Sequence, residues 1–246
     1  MTLLEKKHKA LDYFLKYLLS TEAKKYIAKI ILFGSVAKRK IWKESDVDLL
    51  VVSLNHREVL DDKLAEASME TGLATGESVE PITCDLDEIR HIDSYFIYNV
   101  LKRGKEVYHM EDKKLKLLEA KDCLELSEKY LAGSKKVLKI NEIRIAIESS
   151  YNALELAAKG LLALKIEELP KSHGGVIVML GEAYIKNNEL EKEWSKKLNL
   201  ALKKRGEARY RLNVEVKKED AKMIINLAGE LQKILKVKIQ KFEDKL

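Results

Sequence analysis

Apolar positions recur at helical spacing over Leu3–Ser20, then at strand-like density over residues 29–33 and 47–53. Two wholly apolar runs, IILF and LLVV, mark the centres of the two expected strands. A helix over 57–72, a strand over 78–83, a helix over 93–103 and a last strand over Glu106–His109 complete an alternating pattern. Beyond Met110 the strand signals stop. Ile143, Ile147, Ser150, Leu154, Ala157 and Leu161 fall at 3,4 spacing, and Tyr151, Ala158 and Leu162 widen the stripe. A helix with so broad an apolar face belongs at the centre of a bundle. Further helices are predicted over 114–132, 174–187, 189–211 and 218–242, with a break at Pro170 and Gly174–Gly175. The expected class is α+β: an α/β domain with a small mixed sheet over 1–112, then an all-α antiparallel helical bundle over 113–246.

Composition narrows the setting. The 246 residues, 46% of them apolar, suffice for one large core or two modest ones. Cys84 and Cys123 give neither a zinc spacing nor a disulfide framework. No apolar run approaches the roughly 20 residues of a membrane span, and the start MTLLEKKHKALDYF does not read as a signal peptide. A cytoplasmic protein is the expectation. Abundant Lys and Glu with only two glutamines is a balance typical of thermophiles. The net charge of +6 is unevenly divided: −3 over residues 1–112 and +9 over 113–246.

The chemistry concentrates between Ile30 and Val52. Gly34 and Ser35 end the first apolar run; Asp46 and Asp48 open the second, with ten residues between Ser35 and Asp46. A glycine after a strand lets the backbone approach a bulky anion, and the serine adds a hydroxyl to the backbone N–H groups of a helical turn. Residues two apart on a strand share a face, so the aspartates form a hard-oxygen pair suited to Mg²⁺, with phosphate supplying further ligands. Lys38, Arg39, Lys40 and Lys43 could neutralise a triphosphate or simply form a solvated basic loop. Ser45 reads as a local cap or strand-entry residue as well as a candidate nucleotide contact.

The pattern GS, ten residues, then SDxDLLV resembles the minimal nucleotidyltransferases of the DNA polymerase β superfamily. The resemblance implies that Gly34 and Ser35, aided by Lys38 and Ser45, hold a nucleoside triphosphate, and that Asp46 and Asp48 bind two Mg²⁺ ions. It also implies a third carboxylate on a neighbouring strand. Glu80, in the extended run SVEPIT after a glycine-containing turn over Thr71–Glu77, is preferred for that role; Asp85 and Asp87 are its rivals. Such relatives often carry Arg and Gly after the Gly-Ser, where this chain reads Val36-Ala37-Lys38-Arg39.

The segments YNALELAAKGLLAL, KSHGGVIVML and RGEARYRL make the second half resemble a HEPN domain. Many HEPN domains are ribonucleases that use Arg, four to six residues, then His. His173 is the only histidine after residue 112, and no arginine precedes it at that distance. Arg103 and His109 match formally but lie outside the bundle, and are read as a chance match. Arg205, Arg209 and Tyr210 stand where such nucleases carry their motif, and either line an acceptor groove or compensate a helix C-terminus.

The resemblances together imply an Mg²⁺-dependent enzyme that moves an NMP from an NTP, ATP foremost, to an acceptor hydroxyl on a protein, an RNA or a small molecule. They also point, more distantly, to the aminoglycoside nucleotidyltransferases, and to homodimers formed through the helical half. The alternatives are a non-catalytic nucleotide-binding regulatory or antitoxin-like module, and a HEPN-type RNA-binding protein.

Overall fold

A computed structural model describes residues 1–54, 57–90 and 92–246. The chain divides into two compact units, Met1–Glu111 and Asp112–Leu246.

The first unit runs α1 (Leu3–Ser20), β1 (Ile27–Leu32), α2 (Gly34–Ala37), β2 (Val47–Ser53), α3 (Arg57–Thr75), β3 (Val79–Asp85), α4 (Leu86–Arg90), α5 (Tyr95–Arg103) and β4 (Lys105–His109), with a 3-10 turn at Glu22–Tyr26. The strands form one mixed sheet in the order β3-β2-β1-β4. β1 pairs antiparallel with β2 and β4, while β2 and β3 run parallel. Thr2 and Glu5 form a reciprocal capping box that starts α1, satisfying two orphan N–H groups. α1 then buries Ala10, Leu11, Phe14 and Leu18, and α3 buries Leu60, Leu64, Ala67 and Thr71; both stripes join one core with Ile30, Leu32, Leu49 and Val51.

The segment Thr71–Glu77, expected as a turn, is helix as far as Thr75. Its period continues because Thr71 is fully buried in line with Ala67 and its hydroxyl donates to the Ala67 carbonyl at 2.7 Å. The turn is confined to Gly76 and the two residues after it, with Gly76 at φ +71°. An ion pair between Lys7 and Glu77 ties α1 to this turn, and the Lys7 side chain is 3% exposed.

The second unit contains α6 (Asp112–Lys139), α7 (Ile143–Ala163), α8 (His173–Leu180), α9 (Glu193–Tyr210) and α10 (Lys218–Glu243). α7 is central as its pattern predicts: thirteen of its residues are buried, and α6, α9 and α10 pack on it. Small residues let its neighbours approach. A Cβ on Gly160 would stand 2.6 Å from Leu235 Cδ2 and 3.3 Å from the Ala120 carbonyl. The first helix runs seven residues past its expected end at 132, since Leu131, Ser134 and Leu138 continue its buried stripe. The helix expected over 174–187 gives way after Leu180 to a π turn, Gly181–Ile185, in which the buried Tyr184 hydroxyl donates to the Leu161 carbonyl at 2.6 Å.

Removing one partner of a buried ion pair strands the other charge. Glu77→Gln is therefore expected to lower the stability of the first unit by about 3 kcal/mol in urea denaturation. A loss near zero would mean that the Lys7 ammonium reaches water.

Candidate nucleotide and metal site

Strand directions bring the chemical residues to one end of the sheet. The C-terminal end of β1 lies beside the N-terminal ends of β2 and β4, since Leu32 pairs with both Leu49 and Lys105. β3 starts at the same end, and its register sets Glu80 opposite Asp48. Cα partners on neighbouring strands project to the same face, so these two carboxylates are adjacent. Asp85 pairs with Ser53 at the far end, five residues or roughly 16 Å along the strand. Asp87 lies beyond it on α4.

Gly34 is pressed against this carboxylate row. Its φ is +71°, and a Cβ there would stand 1.8 Å from Asp48 Oδ2. No side chain fits. The Phe33 N–H donates to the Asp48 carbonyl at 3.0 Å, and the Ser35 N–H donates to the Asp48 carboxylate. The Gly-Ser turn and the aspartate strand thus form one continuous hydrogen-bonded surface. Asp46 sits one residue before β2, with the fully buried Val47 anchoring the pair.

Burial pushes the Asp48 carboxyl above its usual range, helped by the negative charges of Glu80 and Asp46; the Ser35 N–H and the Lys38 charge pull it back. A cation at these groups would relieve that crowding. Among the described residues no three His, Cys, Asp or Glu side chains cluster tightly enough to cage an ion alone. Mg²⁺ does not require such a cage, because it takes one or two carboxylates and completes its shell with water and phosphate. The donor set therefore fits Mg²⁺ held jointly by Asp46, Asp48 and a phosphate, with Glu80 alongside.

The loop between the two motifs is locally tied. Ser45 is buried, its hydroxyl accepts the Trp42 N–H at 3.0 Å, and its own N–H donates to the Trp42 carbonyl. Lys38 caps α2, and Arg39 follows in a left-handed conformation at φ 55°. Helix ends of this kind favour glycine at that position.

In the second unit, Arg205 is 7% exposed, lies over the Tyr151 ring at 5.3 Å and has an Nε without a hydrogen-bond partner. Arg209 pairs with Glu148, and Tyr210 is exposed. His173 pairs with the buried Glu155 and meets the Tyr151 ring edge-on. Arg144 donates to the Ala208 carbonyl at 2.6 Å in the last turn of α9 and to the Val214 carbonyl at 2.7 Å in the segment that follows. Sequence reasoning missed Arg144, since its partners lie more than sixty residues away.

Comparison with known proteins agrees with this layout. The family model "Polymerase beta, Nucleotidyltransferase" matches residues 16–113, and the "HEPN domain" model matches residues 120–238. The chain is a nucleotidyltransferase-like domain fused to a HEPN-like helical domain. A putative toxin of Methanocaldococcus jannaschii is 32% identical over 108 residues, which span 44% of this chain and 73% of the relative, and the chain belongs to that relative's family. A crystal structure of a spectinomycin adenyltransferase from Enterococcus faecialis, with ATP and spectinomycin, aligns over 94% of this chain and 99% of its own. That alignment has 14% identity and a TM-score of 0.29. Among the described residues no helix is long and apolar enough to cross a membrane.

Because the folded state holds the Asp48 proton more tightly than the unfolded chain does, stability from the neutral acid is present at low pH. It is lost as pH rises through the raised pKa. Asp48→Asn should consequently melt at a higher temperature than the wild type at pH 7, and the gap should close in acid. Added Mg²⁺ should raise the wild-type melting temperature and leave the variant's unchanged. A second variant, Arg39→Gly, should stabilise the fold by about 1 kcal/mol by relieving the left-handed backbone, as read by denaturant titration.

Proposed function

We propose that the chain is an Mg²⁺-dependent nucleotidyltransferase that transfers an NMP from an NTP, ATP foremost, to an acceptor hydroxyl and releases pyrophosphate. The observation that carries this reading is the convergence of Gly34, Asp48 and Glu80 at one end of the sheet. A phosphate-approach turn and a carboxylate row in direct contact are what phosphoryl transfer requires, because that chemistry is mostly positioning and charge stabilisation. The Gly34–Ser35 backbone would receive the triphosphate, with Lys38 adding positive charge, while Asp46 and Asp48 would hold the metal. Bound Mg²⁺ would supply charge neutralisation for the phosphates and an activated acceptor oxygen. Glu80, on the outer strand, would accept the acceptor's proton. Ser45, locked to Trp42, would shape the loop from behind.

The acceptor is a protein, an RNA or a small molecule. The relative's description as a putative toxin favours the first two and supports a second reading, in which the chain acts within a toxin–antitoxin pair. The proposed boundary of the transferase part is residue 112, and the proposed acceptor groove is the face bearing Arg205, Arg209 and Tyr210. Arg205 buried on Tyr151 and Arg209 paired with Glu148 leave the exposed Tyr210 as the most accessible of the three.

Incubation with each labelled NTP and Mg²⁺, with and without cell extract, should label an acceptor and release pyrophosphate. Asp46→Asn, Asp48→Asn and Glu80→Gln are each expected to reduce the rate by at least about 100-fold. Labelling by the double aspartate variant at the wild-type rate would remove the two-carboxylate mechanism. Nucleotide binding without turnover in the wild type would leave the regulatory reading instead.

A further inference from the structure

Positive charge gathers at one cleft of the second unit. The cleft, about 420 Å³ in volume, opens where the last turns of α6 meet the first turns of α10. Lys135, Lys139, Lys218 and Lys222 rim it above the buried Leu138 and Ile225, and no acidic side chain lines it. Among the described residues none of these four lysines has an ion-pair partner. Elsewhere on the same helices acids answer the lysines: Lys121 pairs with Glu243, Lys129 with Glu125 and Lys236 with Glu128. Asp220, in the same turn as Lys218, is held by Lys204 at 3.3 Å. Helix stability does not call for this arrangement. Lysines suit the negative end of α6, but Lys218 and Lys222 stand at the positive end of α10, where cations are unfavourable. Four like charges around one cleft repel one another, and an anionic partner relieves them.

The first unit carries a counterpart. α3 buries Leu60, Leu64 and Ala67 in the core, yet Met69 and Leu73, one turn apart on its opposite side, are 58% and 77% exposed. A helix that serves a single core needs one apolar stripe, and this one has two. Asp62, Glu66 and Glu70, each four residues from the next, run beside the exposed pair. Glu66 already accepts the Tyr17 hydroxyl at 2.6 Å and the Lys63 ammonium at 2.8 Å. Asp62 and Glu70 make no such bonds among the described residues.

The two surfaces share one pattern with opposite sign: an apolar centre with a charged margin. We propose that the lysine cleft of one copy receives the outer face of α3 from a second copy of this chain. Met69 and Leu73 would lie on Leu138, Ile225 and the lysine stems, with Asp62 and Glu70 among the four ammonium groups. Apolar centre on apolar centre, inside a polar rim, is the ordinary anatomy of a protein interface. A nucleic acid would meet the same lysines, but no aromatic side chain lines the cleft for its bases to stack on. The contact joins unlike surfaces, so its smallest closed assembly is a pair in which each copy supplies one α3 and one cleft. It holds whether or not the first unit transfers NMP.

Sedimentation velocity of the full chain at low salt tests the contact. The wild type should form pairs, and about 0.5 M NaCl should weaken them by screening. Lys139→Glu/Lys222→Glu brings acids into the cleft, and Asp62→Lys/Glu70→Lys brings cations onto α3; melting curves check that both variants fold. Each should raise the dissociation constant at least about 100-fold, because like charges then face one another. Mixing the two variants should restore pairing, since each keeps the surface that the other has lost. The variant with all four substitutions should pair with itself again through exchanged charges. A monomeric wild type, pairing that survives in either variant, or a mixture that stays monomeric would each overturn the proposal. Binding of poly(U) by a monomeric wild type, lost in Lys139→Glu/Lys222→Glu, would give the cleft to a nucleic acid and overturn it as well.

Discussion

The contact between Gly34 and Asp48 is the constraint on which the rest of the candidate site depends. With a Cβ excluded at 1.8 Å from the carboxylate, the backbone of the turn lies directly against a β2 side chain. That proximity requires β1 and β2 to pair antiparallel with Leu32 against Leu49, so that the end of one strand meets the beginning of the other. Glu80 enters through a second register. A one-residue slip of β3 against β2 would turn Glu80 to the opposite face and present Val79 or Pro81 beside Asp48. Two registers and one glycine thus define the relative placement of turn, aspartates and glutamate.

These dependencies explain how far the sequence could be read. Gly-Ser and Asp-x-Asp are visible because each is local and lies next to an apolar run. The choice of Glu80 over Asp85 is a matter of pairing, and periodicity within SVEPITCD says nothing about which β2 residue lies opposite. The end of α3 misled for a related reason. Thr71 and Gly72 have turn-like composition, yet the stripe from Leu60 through Ala67 to Thr71 continues into the core, and burial outweighs composition. Arg39 gave a partial signal: a departure from the glycine common in relatives was readable, while its left-handed backbone was not.

The helical unit shows the opposite balance. Its architecture was legible from one stripe on α7, because a helix with thirteen buried residues can only be surrounded. Its polar detail was not. Gln232 donates to Ser127, which in turn donates to the Ala153 carbonyl, linking three helices across more than a hundred residues of sequence. Arg144 donates to the Ala208 carbonyl near the end of α9, more than sixty residues along the chain, leaving Arg205 to pack on Tyr151 instead of serving as a cap. Such tertiary hydrogen bonds satisfy groups whose burial would otherwise cost about 1–3 kcal/mol each. They leave no local trace.

Charge is arranged asymmetrically along the end of the sheet that carries Gly34 and Asp48. Glu80, Asp46 and Asp48 occupy the β3–β2 side, where burial, and then the charges of Glu80 and Asp46, push the Asp48 carboxyl above its usual range. Lys38 and Arg103 line a cleft beside Gly34, and the Lys38 charge also reaches Asp48. On the proposed reading, only the segment of the nucleotide that arrives with a divalent cation can sit against the carboxylates. The net −3 of residues 1–112 conceals this, because a net charge sums over groups whose separation is what matters.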